Sequence, residues 1–558
     1  MYPYIVLFGA VAMLTGVPVK WVETRTEHFI GSTHAAGRVG KFELALNKDG
    51  TMVALRIKIV DDVGAYPRSP EPGHLLRQFG NLVGPYHIKH VAVDAKVVVT
   101  NTVPTSPIRG FGGQHLYFPL EKLVTKAAKE LGLDPAEIRF RNFIQPNEIP
   151  YETPTGGIYD SGNYPATFRR LLELIDNEKT KEEIAKLKRE GRLIGLGLAV
   201  TIDASVSNIG YLDVTFSPEK MGRAEFLQKS GGQHVAVVKM GPSGRIICQI
   251  DSNPQGQGHE TTVAQVISSV LGVKPEDVTV ITGIDTHRGM YTISSGTYSS
   301  RFGSVGISAV YSASMRLKEK ILKVASRLLG VPPDQLEVGE GKVFVKSKPA
   351  QSVSLRRIAG AVYWNPTALD LGEDQGLIAI STFNIPTLRS PALNDKTNSS
   401  GTYGFVADAA LVEALVEVDP ETGLVKILKY VTVHYAGTII NPEIVRQQSV
   451  GSVNQAIEET LYQDLSYNED GQPLATNFGD YYVNSVKEAI DVEVDHSIQS
   501  KSPFTLLGSK GVGESNNESA PATIVSAIED ALQQWNIEIT ELPITPEKLW
   551  RKIEASKG

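Results

Sequence analysis

The sequence is nearly free of cysteine, because Cys248 is the single thiol among 558 residues. One thiol cannot form a disulfide within the chain, and it cannot supply the ligands that an iron–sulfur cluster needs. A disulfide framework is therefore excluded, and so is an iron–sulfur cluster held by this chain alone. The cytoplasm is the simplest compartment for such a protein.

An excess of positive charge is also missing. Lys and Arg number 55 against 62 Asp and Glu, which gives a formal net charge of −7. Proteins that bind nucleic acid usually carry a basic surplus, so no nucleic-acid partner is expected. Hydrophobic residues make up 41% of the chain, which indicates a folded globular protein.

Charged residues are absent from the stretch YPYIVLFGAVAMLTGVPV, between Tyr2 and Val19. A signal anchor would carry a positive region ahead of the apolar run, and here Gly9, Gly16 and Pro18 interrupt the run. We therefore expect a buried core helix and no membrane span, with a targeting or membrane segment as the open alternative.

Segments with strand and helix character alternate along the rest of the chain. Polar turns such as Asp49-Gly50 separate alternating apolar runs, and Gly132 and Gly272 follow amphipathic stretches as helix ends do. The pattern predicts the α+β class in at least two large domains. We place the domain boundary in the polar segment between Ser205 and Gln233, which gives residues 1–215 and 216–558.

Glycine is frequent, and four glycine-bearing clusters stand in loops or at helix starts. They are SPIRGFGGQH (106–115), NPQGQGHETT (253–262), SSGTYSSRFGS (294–304) and GSKGVGESNNESAPA (508–522). Glycine lets backbone N–H groups approach an anion, and a helix N-terminus adds a favourable dipole. Taken singly, each cluster is better explained as an ordinary loop. His259-Glu260 begins like a zinc-binding helix, but Val263 stands where the second histidine would be.

Glu514 is an unusual acid in the last of these clusters. It follows Gly511-Val512-Gly513 and precedes small polar residues and Pro521. The residues alone allow a solvated loop position, a helix cap ahead of Pro521 or a catalytic base, and they favour the cap. Glu518 is the alternative cap.

Taken together and in this order, the motifs of the chain resemble those of the molybdenum-binding large subunit of the xanthine dehydrogenase and aldehyde oxidase family. The motifs are PVKWVETRTEHF, TNTVPTSPIRGFGGQH, LGLDPAEIRFRNFI, GQGHETTVAQVIS, GTYSSR, GTIINPEIV and GSKGVGES. The resemblance covers nearly the whole chain. It implies two elongated, mixed α/β domains that bind a molybdenum–pterin cofactor, either molybdopterin or molybdopterin cytosine dinucleotide. It also implies that no protein side chain ligates the metal directly.

The same resemblance implies roles for individual residues. Glu514 would be the catalytic base that takes a proton while oxygen from water is transferred to an electron-poor carbon. Phe111 and Arg77 would face the substrate, with an ordinary core position and an exposed surface position as their respective alternatives. The residues implied to bind the cofactor are Arg109, Gly110, Gly112, Gly256, Gln257, Gly258, His259, Gly296, Thr297, Ser299, Ser300, Gln448, Gly511, Val512 and Gly513.

The resemblance also implies partners and a substrate class. Electrons would leave through a small [2Fe-2S] subunit and a medium FAD subunit. The sequence begins after the family's GGGFG cofactor motif, so we expect a separately encoded N-terminal fragment or a truncation. The loop IRGFGG lacks the cysteine typical of carbon monoxide dehydrogenases, which favours an aldehyde, or else an N-heterocycle, over CO. The competing hypothesis is a non-catalytic or incomplete assembly subunit.

Overall fold

The computed structural model describes residues 2–175, 178–206, 218–221, 232–287, 291–292, 296–369, 376–385 and 406–557. Its helices are α1 (Tyr2–Thr15), α2 (Arg25–Gly31), α3 (Gly73–Leu76), α4 (Gly113–Leu131), α5 (Pro135–Asn142), α6 (Tyr164–Ile175), α7 (Glu178–Arg189), α8 (Pro218–Met221), α9 (His259–Leu271), α10 (Ile307–Leu329), α11 (Leu355–Trp364), α12 (Pro442–Leu461), α13 (Ser515–Ala531) and α14 (Pro546–Ser556). The predicted boundary segment lies largely outside the described residues, and the division at 215/216 stays a prediction.

The strands lie between and beside these helices. They are β1 (Gly37–Leu46), β2 (Met52–Asp62), β3 (His90–Val98), β4 (Tyr151–Glu152), β5 (Ile158–Tyr159), β6 (Leu193–Ser205), β7 (His234–Met240), β8 (Ile246–Ile250), β9 (Val278–Ile281), β10 (Leu336–Gly339), β11 (Lys342–Val345), β12 (Lys348–Ser354), β13 (Ile378–Phe383), β14 (Val406–Val418), β15 (Val425–His434) and β16 (Glu493–Asp495). The mixture of helices and antiparallel and parallel strand pairs confirms the predicted α+β class.

Two sheets matter most for the site described below. One has the strand order β16-β15-β14-β6, and in it β6 pairs antiparallel with β14 from Val406↔Ser205 to Val418↔Leu193. The other has the order β13-β7-β8-β9. A sheet is thus shared between early and late parts of the chain, because β6 and β14 are separated by about two hundred residues of sequence.

Three large hydrophobic cores hold these layers together. The first packs β2, α4 and α6 against one face of the β6–β14 sheet, and the third packs α12 and α13 against its other face. The second core is built entirely from residues between Ala236 and Ala379, around α9, α10 and the β7–β8 sheet. The three cores are separate clusters of buried side chains. They meet where the loops before α4, α9 and α13 converge.

Helix α13 packs without a gap against β6. Every residue from Ser515 to Ile528 is buried. A Cβ at Gly195 would lie 2.1 Å from the carbonyl oxygen of Ala527, and a Cβ at Gly197 would lie 2.0 Å from that of Thr523. Glycines on β6 therefore let the helix backbone approach the strand directly, which places the residue before α13, Glu514, at a defined point above the sheet.

Local sequence signals were confirmed where they act within one turn. Asp134 caps α5, since its Oδ1 accepts hydrogen bonds from the Ala136 and Glu137 amides at 2.7 and 3.3 Å. Gly132 and Gly272 end α4 and α9 in the left-handed conformation. The last helix differs from expectation, because α13 begins at Ser515 and contains Pro521 in its interior.

The expectation of a buried helix at the start was wrong. Tyr2–Thr15 does form α1, but Ile5 is 64% and Met13 86% exposed. Tyr4 and Phe8 contact the ring of Trp21, with ring centroids 4.5 and 5.2 Å apart. The helix is apolar on every side, so its pattern carried no signal for which face, if any, would be covered. Among the described residues, no helix is long and apolar enough to cross a membrane.

Candidate functional site

A cavity of about 880 Å³ lies at the meeting point of the three cores. Thirteen of the eighteen residues predicted for the site line it, namely Arg77, Arg109, Phe111, Gln257, His259, Thr297, Ser299, Ser300, Gln448, Gly511, Val512, Gly513 and Glu514. Five predicted glycines do not line it but adjoin residues that do, namely Gly110, Gly112, Gly256, Gly258 and Gly296. The structure therefore brings together four glycine clusters that are far apart in sequence.

Glu514 projects from the N-terminal end of α13 into the wall of this cavity. Its side chain is 13% exposed. Oε1 accepts a hydrogen bond from the Gly110 amide at 3.2 Å, and Oε2 accepts one from the Ser300 hydroxyl at 3.3 Å. Glu514 occupies the N-cap position, but its side chain makes no capping hydrogen bond. The side-chain cap favoured by the residues alone was therefore wrong, because the carboxylate points to other loops instead of back to its own helix.

Arg77 is fully buried, so the alternative of an exposed surface arginine was wrong. Its Nη2 lies 2.5 Å from Asp203 Oδ1 and 3.5 Å from Glu514 Oε2, and its Nη1 lies 3.5 Å from Glu518 Oε1. Burial disfavours the guanidinium charge, but the attraction of these three carboxylates outweighs it and raises the pKa of Arg77. Arg77 therefore stays charged under all physiological conditions.

Two acids of this group were not identified as site residues from the sequence. Asp203 lies near the end of β6, in the otherwise apolar run LGLAVTIDA, and it is fully buried. Glu518 lies in the first turn of α13, also fully buried, where it contacts Arg77. A lone acid in an apolar strand was the one signal that could have indicated Asp203, since buried charges need a partner.

Arg109 connects the loop before α4 to two other segments of the wall. Its Nε donates to the Gly513 carbonyl at 2.5 Å, and its Nη2 donates to the Gln448 backbone carbonyl at 3.0 Å. Burial lowers the pKa of Arg109, while the nearby carboxylates of Glu514 and Glu459 act in the opposite sense. The guanidinium thus fixes the backbone immediately before Glu514.

Strained backbone is concentrated at this cavity. Phe111, Ser299 and Ser300 have φ values of 21°, 56° and 45°, a region that residues other than glycine rarely adopt. The surrounding structure holds the two serines there, because the Val206 amide donates to the Ser299 carbonyl at 2.8 Å and the Ser205 hydroxyl donates to the Ser300 carbonyl at 3.0 Å. Strain of this kind persists where other contacts enforce it, and it is typical of functional sites.

Two of the predicted glycines are required by packing within the protein. A Cβ at Gly511 would lie 1.6 Å from the Ser300 carbonyl oxygen, and a Cβ at Gly112 would lie 1.9 Å from that of His74. These glycines therefore bring protein backbones together, which shapes the wall of the cavity. Gly256 differs, since a Cβ there would meet nothing within 4 Å.

The side of the cavity that belongs to the second core is formed by the loops around α9 and before α10. The Ser252 hydroxyl lies 3.2 Å from His259 Nδ1 and 3.0 Å from Thr297 Oγ1. The His259 ring stacks on Phe302 with centroids 3.7 Å apart. Burial lowers the pKa of His259 to about 4, with His234 acting in the same direction. His259 is therefore neutral at pH 7 and can offer one N–H to a ligand.

The chemistry of this lining fits an organic ligand with many hydrogen-bonding groups. Gln257 and Gln448 offer amides, Thr297 and Ser300 offer hydroxyls, and α9 directs its N-terminus to the same space. Among the residues that the structure describes, no group of three or more His, Cys, Asp or Glu side chains could hold a metal ion. The amides, hydroxyls and helix N-terminus that line the cavity are suited to an organic cofactor with many polar groups.

Comparison with known proteins agrees with this geometry. The molybdopterin cofactor-binding domain family matches the chain over residues 170–490 and over residues 1–143. The gamma subunit of the 6-hydroxypseudooxynicotine dehydrogenase complex of Paenarthrobacter nicotinovorans is 32% identical over 99% of this chain and 65% of its own length. The carbon monoxide dehydrogenase large chain of Afipia carboxidovorans is 28% identical over 97% of this chain and 63% of its own.

A solved structure shows the same fold. The crystal structure of quinoline 2-oxidoreductase from Pseudomonas putida 86 is similar over 99% of this chain and 66% of its own, at 30% identity and a TM-score of 0.86. The chain thus spans about two thirds of the length of the relatives that it matches. Since the domain matches cover most of the chain, it belongs to the molybdopterin cofactor-binding family of xanthine dehydrogenase- and aldehyde oxidase-type molybdenum-binding subunits.

Proposed function

We propose that the chain is the catalytic molybdenum subunit of a multi-subunit hydroxylase, with Glu514 as its base. The observation that carries this proposal is the position of Glu514, whose carboxylate is held by Gly110 and Ser300 at the wall of the cavity. Residues 1–215 and 216–558 would form its two cofactor-binding domains. A general base must lie within hydrogen-bond reach of the proton that it takes, and a carboxylate fixed at a cavity wall meets that need.

Residues from both sides of the cavity would hold the cofactor. On the second-core side these are Gln257, His259, Thr297 and the residues around them, and on the other side Arg109 and Gln448 close the wall. When bound, the molybdenum–pterin group supplies a two-electron oxidation and transfers oxygen that originates in water. We propose this cofactor-binding role for all fifteen residues that the sequence analysis names for it.

The overall reaction of an aldehyde balances as RCHO + H2O → RCOOH + 2H⁺ + 2e⁻. Glu514 takes one of the two protons on a carboxylate oxygen as the new carbon–oxygen bond forms. Arg77, at 3.5 Å, and the Gly110 amide, at 3.2 Å, hold the carboxylate in place at the cavity wall. Phe111, 8% exposed, closes one side of the space in which a planar substrate would lie.

The substrate is an aldehyde or an N-heterocycle with an electron-poor carbon. The name of quinoline 2-oxidoreductase supports the heterocycle, whereas the loop IRGFGG, which has no cysteine, argues against CO. The electrons would pass to a small [2Fe-2S] subunit and a medium FAD subunit, since several relatives are named as subunits or large chains of complexes. A separately encoded N-terminal fragment stays a prediction of its own.

The test is the variant Glu514→Gln in the complex purified from its native source. We expect turnover to be abolished while molybdenum and subunit content stay unchanged. The control is Glu121→Gln, because Glu121 is a buried glutamate that pairs with Arg139 away from the cavity. Full activity of Glu514→Gln would refute the assigned base, and absence of molybdenum from the assembled complex would favour a non-catalytic assembly subunit.

A further inference from the structure

Three carboxylates converge on one buried guanidinium beside the proposed base. Arg77 lies between Asp203 from β6 and two acids of α13 and its N-cap, Glu514 and Glu518. The contact to Asp203, at 2.5 Å, has the length of a strong charge-assisted hydrogen bond, whereas the two contacts at 3.5 Å lie at the outer limit of hydrogen bonding. Asp203 therefore sets the position of the guanidinium, and the guanidinium then faces Glu514.

Both terminal nitrogens of Arg77 are bonded to the protein, although the residue lines the cavity. Besides the carboxylates, Nη1 donates to the Gly110 carbonyl at 3.2 Å, and Nη2 donates to the Ala204 carbonyl at 3.2 Å. The side chain is fully buried. A substrate could therefore reach Nη1 or Nη2 only by displacing these contacts.

We propose that Arg77 and Asp203 are positioning residues for Glu514, in which Asp203 anchors the guanidinium and the guanidinium orients the Glu514 carboxylate. This inference rests on the proposed function of Glu514 as the base. It replaces the substrate-facing role predicted for Arg77 and adds Asp203, which contacts the same Nη2 as Glu514, to the site. Arg77 therefore acts through Glu514 and is not itself a catalytic residue.

Other charged groups also face Glu514 or its neighbours. Glu518 lies one turn along α13, Arg109 comes from the loop before α4, and Lys510 lines the same cavity. On α12, Glu459 lies near Arg109, and burial raises the pKa of Glu459 to about 7. A pH-dependent signal from Glu459 must therefore be separated from that of Glu514.

The two variants Arg77→Met and Asp203→Asn should move the pH dependence in opposite directions. Losing the cation of Arg77 disfavours the Glu514 carboxylate, so the acid limb of the kcat/KM profile should move up by about one pH unit or more. Losing the anion of Asp203 favours that carboxylate, so the limb should move down while kcat falls because the guanidinium is no longer anchored. The kcat/KM profiles of both variants are measured on the assembled enzyme. They are measured again with the additional substitution Glu459→Gln, which removes the contribution of Glu459.

A second readout does not depend on turnover. Infrared difference spectra against pH, with Glu514→Gln as the blank, follow ionisation of the Glu514 carboxylate directly, and we expect the same two opposite shifts. Arg139→Met is the matched control, since Arg139 is an equally buried arginine paired with Glu121. Arg139→Met should lower the stability of the protein without shifting the kcat/KM pH profile or the infrared titration of Glu514.

The outcomes separate this inference from the function on which it rests. If Glu514→Gln keeps full turnover, the proposed function fails. In a second outcome, Glu514→Gln is inactive while Arg77→Met and Asp203→Asn shift neither the acid limb of the kcat/KM profile nor the infrared titration of Glu514. That result overturns only the positioning role. A rise in KM alone in Arg77→Met would also overturn it, because that result indicates substrate binding. Should Arg77→Met not assemble, the near-isosteric Asp203→Asn decides alone: a downward shift of the acid limb together with a lowered kcat supports the inference, and an unshifted limb or an unchanged kcat overturns it.

Discussion

Arg109 Nε lies 2.5 Å from the carbonyl oxygen of Gly513, the residue immediately before Glu514. The same guanidinium reaches Gln448 through Nη2, so a single side chain joins the loop before α4, helix α12 and the start of α13. These segments are separated by 339 and 404 residues of sequence. The position of the proposed base therefore depends on a contact that spans most of the chain.

Replacing Arg109 by lysine should lower kcat by about tenfold to a hundredfold, because lysine cannot hold both carbonyls and small displacements of a catalytic group are costly. Steady-state kinetics with molybdenum analysis provide the measurement. Arg446→Lys is the control, since Arg446 is partly exposed on α12 and pairs with Glu443. Unchanged kcat in Arg109→Lys would contradict the role of this contact.

Replacing Gly511 by alanine should disrupt the cavity wall. Its Cβ would lie 1.6 Å from the Ser300 carbonyl, so one of the two backbones must move. We expect a lower melting temperature and loss of bound molybdenum. Gly330→Ala is the control, because a Cβ there meets nothing within 4 Å and only the left-handed φ of 67° is unfavourable, by about 1–2 kcal/mol. Equal effects of the two variants would show that the close approach at Gly511 is unimportant.

His74 should make stability depend on pH. Burial disfavours its charge, but Asp61, at 2.7 Å, and Glu71 outweigh burial and raise the pKa of His74 above its ordinary value of 6.5. Because the folded pKa is raised, this stabilisation is fully present below about pH 6.5 and is lost as pH rises through the folded value. The difference in melting temperature between the wild type and His74→Gln should therefore shrink at alkaline pH.

The comparison isolates His74 because the other histidines are the same in both proteins. His87→Gln is a suitable control, since His87 is partly exposed and lies 3.6 Å from Glu148. It should follow the wild type at every pH. A constant difference between the wild type and His74→Gln across the range would argue against a charged His74.

Cys248 should be unreactive in the folded protein. It is buried in β8, and burial raises the pKa of its thiol to about 12, so almost no thiolate forms at neutral pH. Alkylation mapped by mass spectrometry should label Cys248 only after denaturant unfolds the second core. Rapid labelling of the native protein would show that this strand opens readily.

Local features of the fold could be predicted because their causes lie within a few residues. Asp134 followed by Pro135 is sufficient for a helix start, and Gly132 for a helix end. Pro521 misled the assignment of the last helix, because proline is more common at a helix start than in the interior position that it occupies here.

Features that depend on distant contacts could not be predicted in this way. The burial of Arg77 follows from acids that are 126, 437 and 441 residues away in sequence. The glycine clusters were recognised as a set only by their family order, and their meeting in one cavity requires the tertiary fold. The exposure of α1 depends on which other elements pack against it. A helix that is apolar on every side gives no sign of which face will be covered.

The junction between the cores has a thermodynamic consequence. The second core, between Ala236 and Ala379, is buried separately from the cores that carry Arg77 and α13, and the cavity draws its lining from both sides. A ligand that contacts both sides stabilises only the state in which both are folded. Calorimetry should therefore show two partly independent unfolding transitions for the empty chain, and they should merge into one when the cavity is filled.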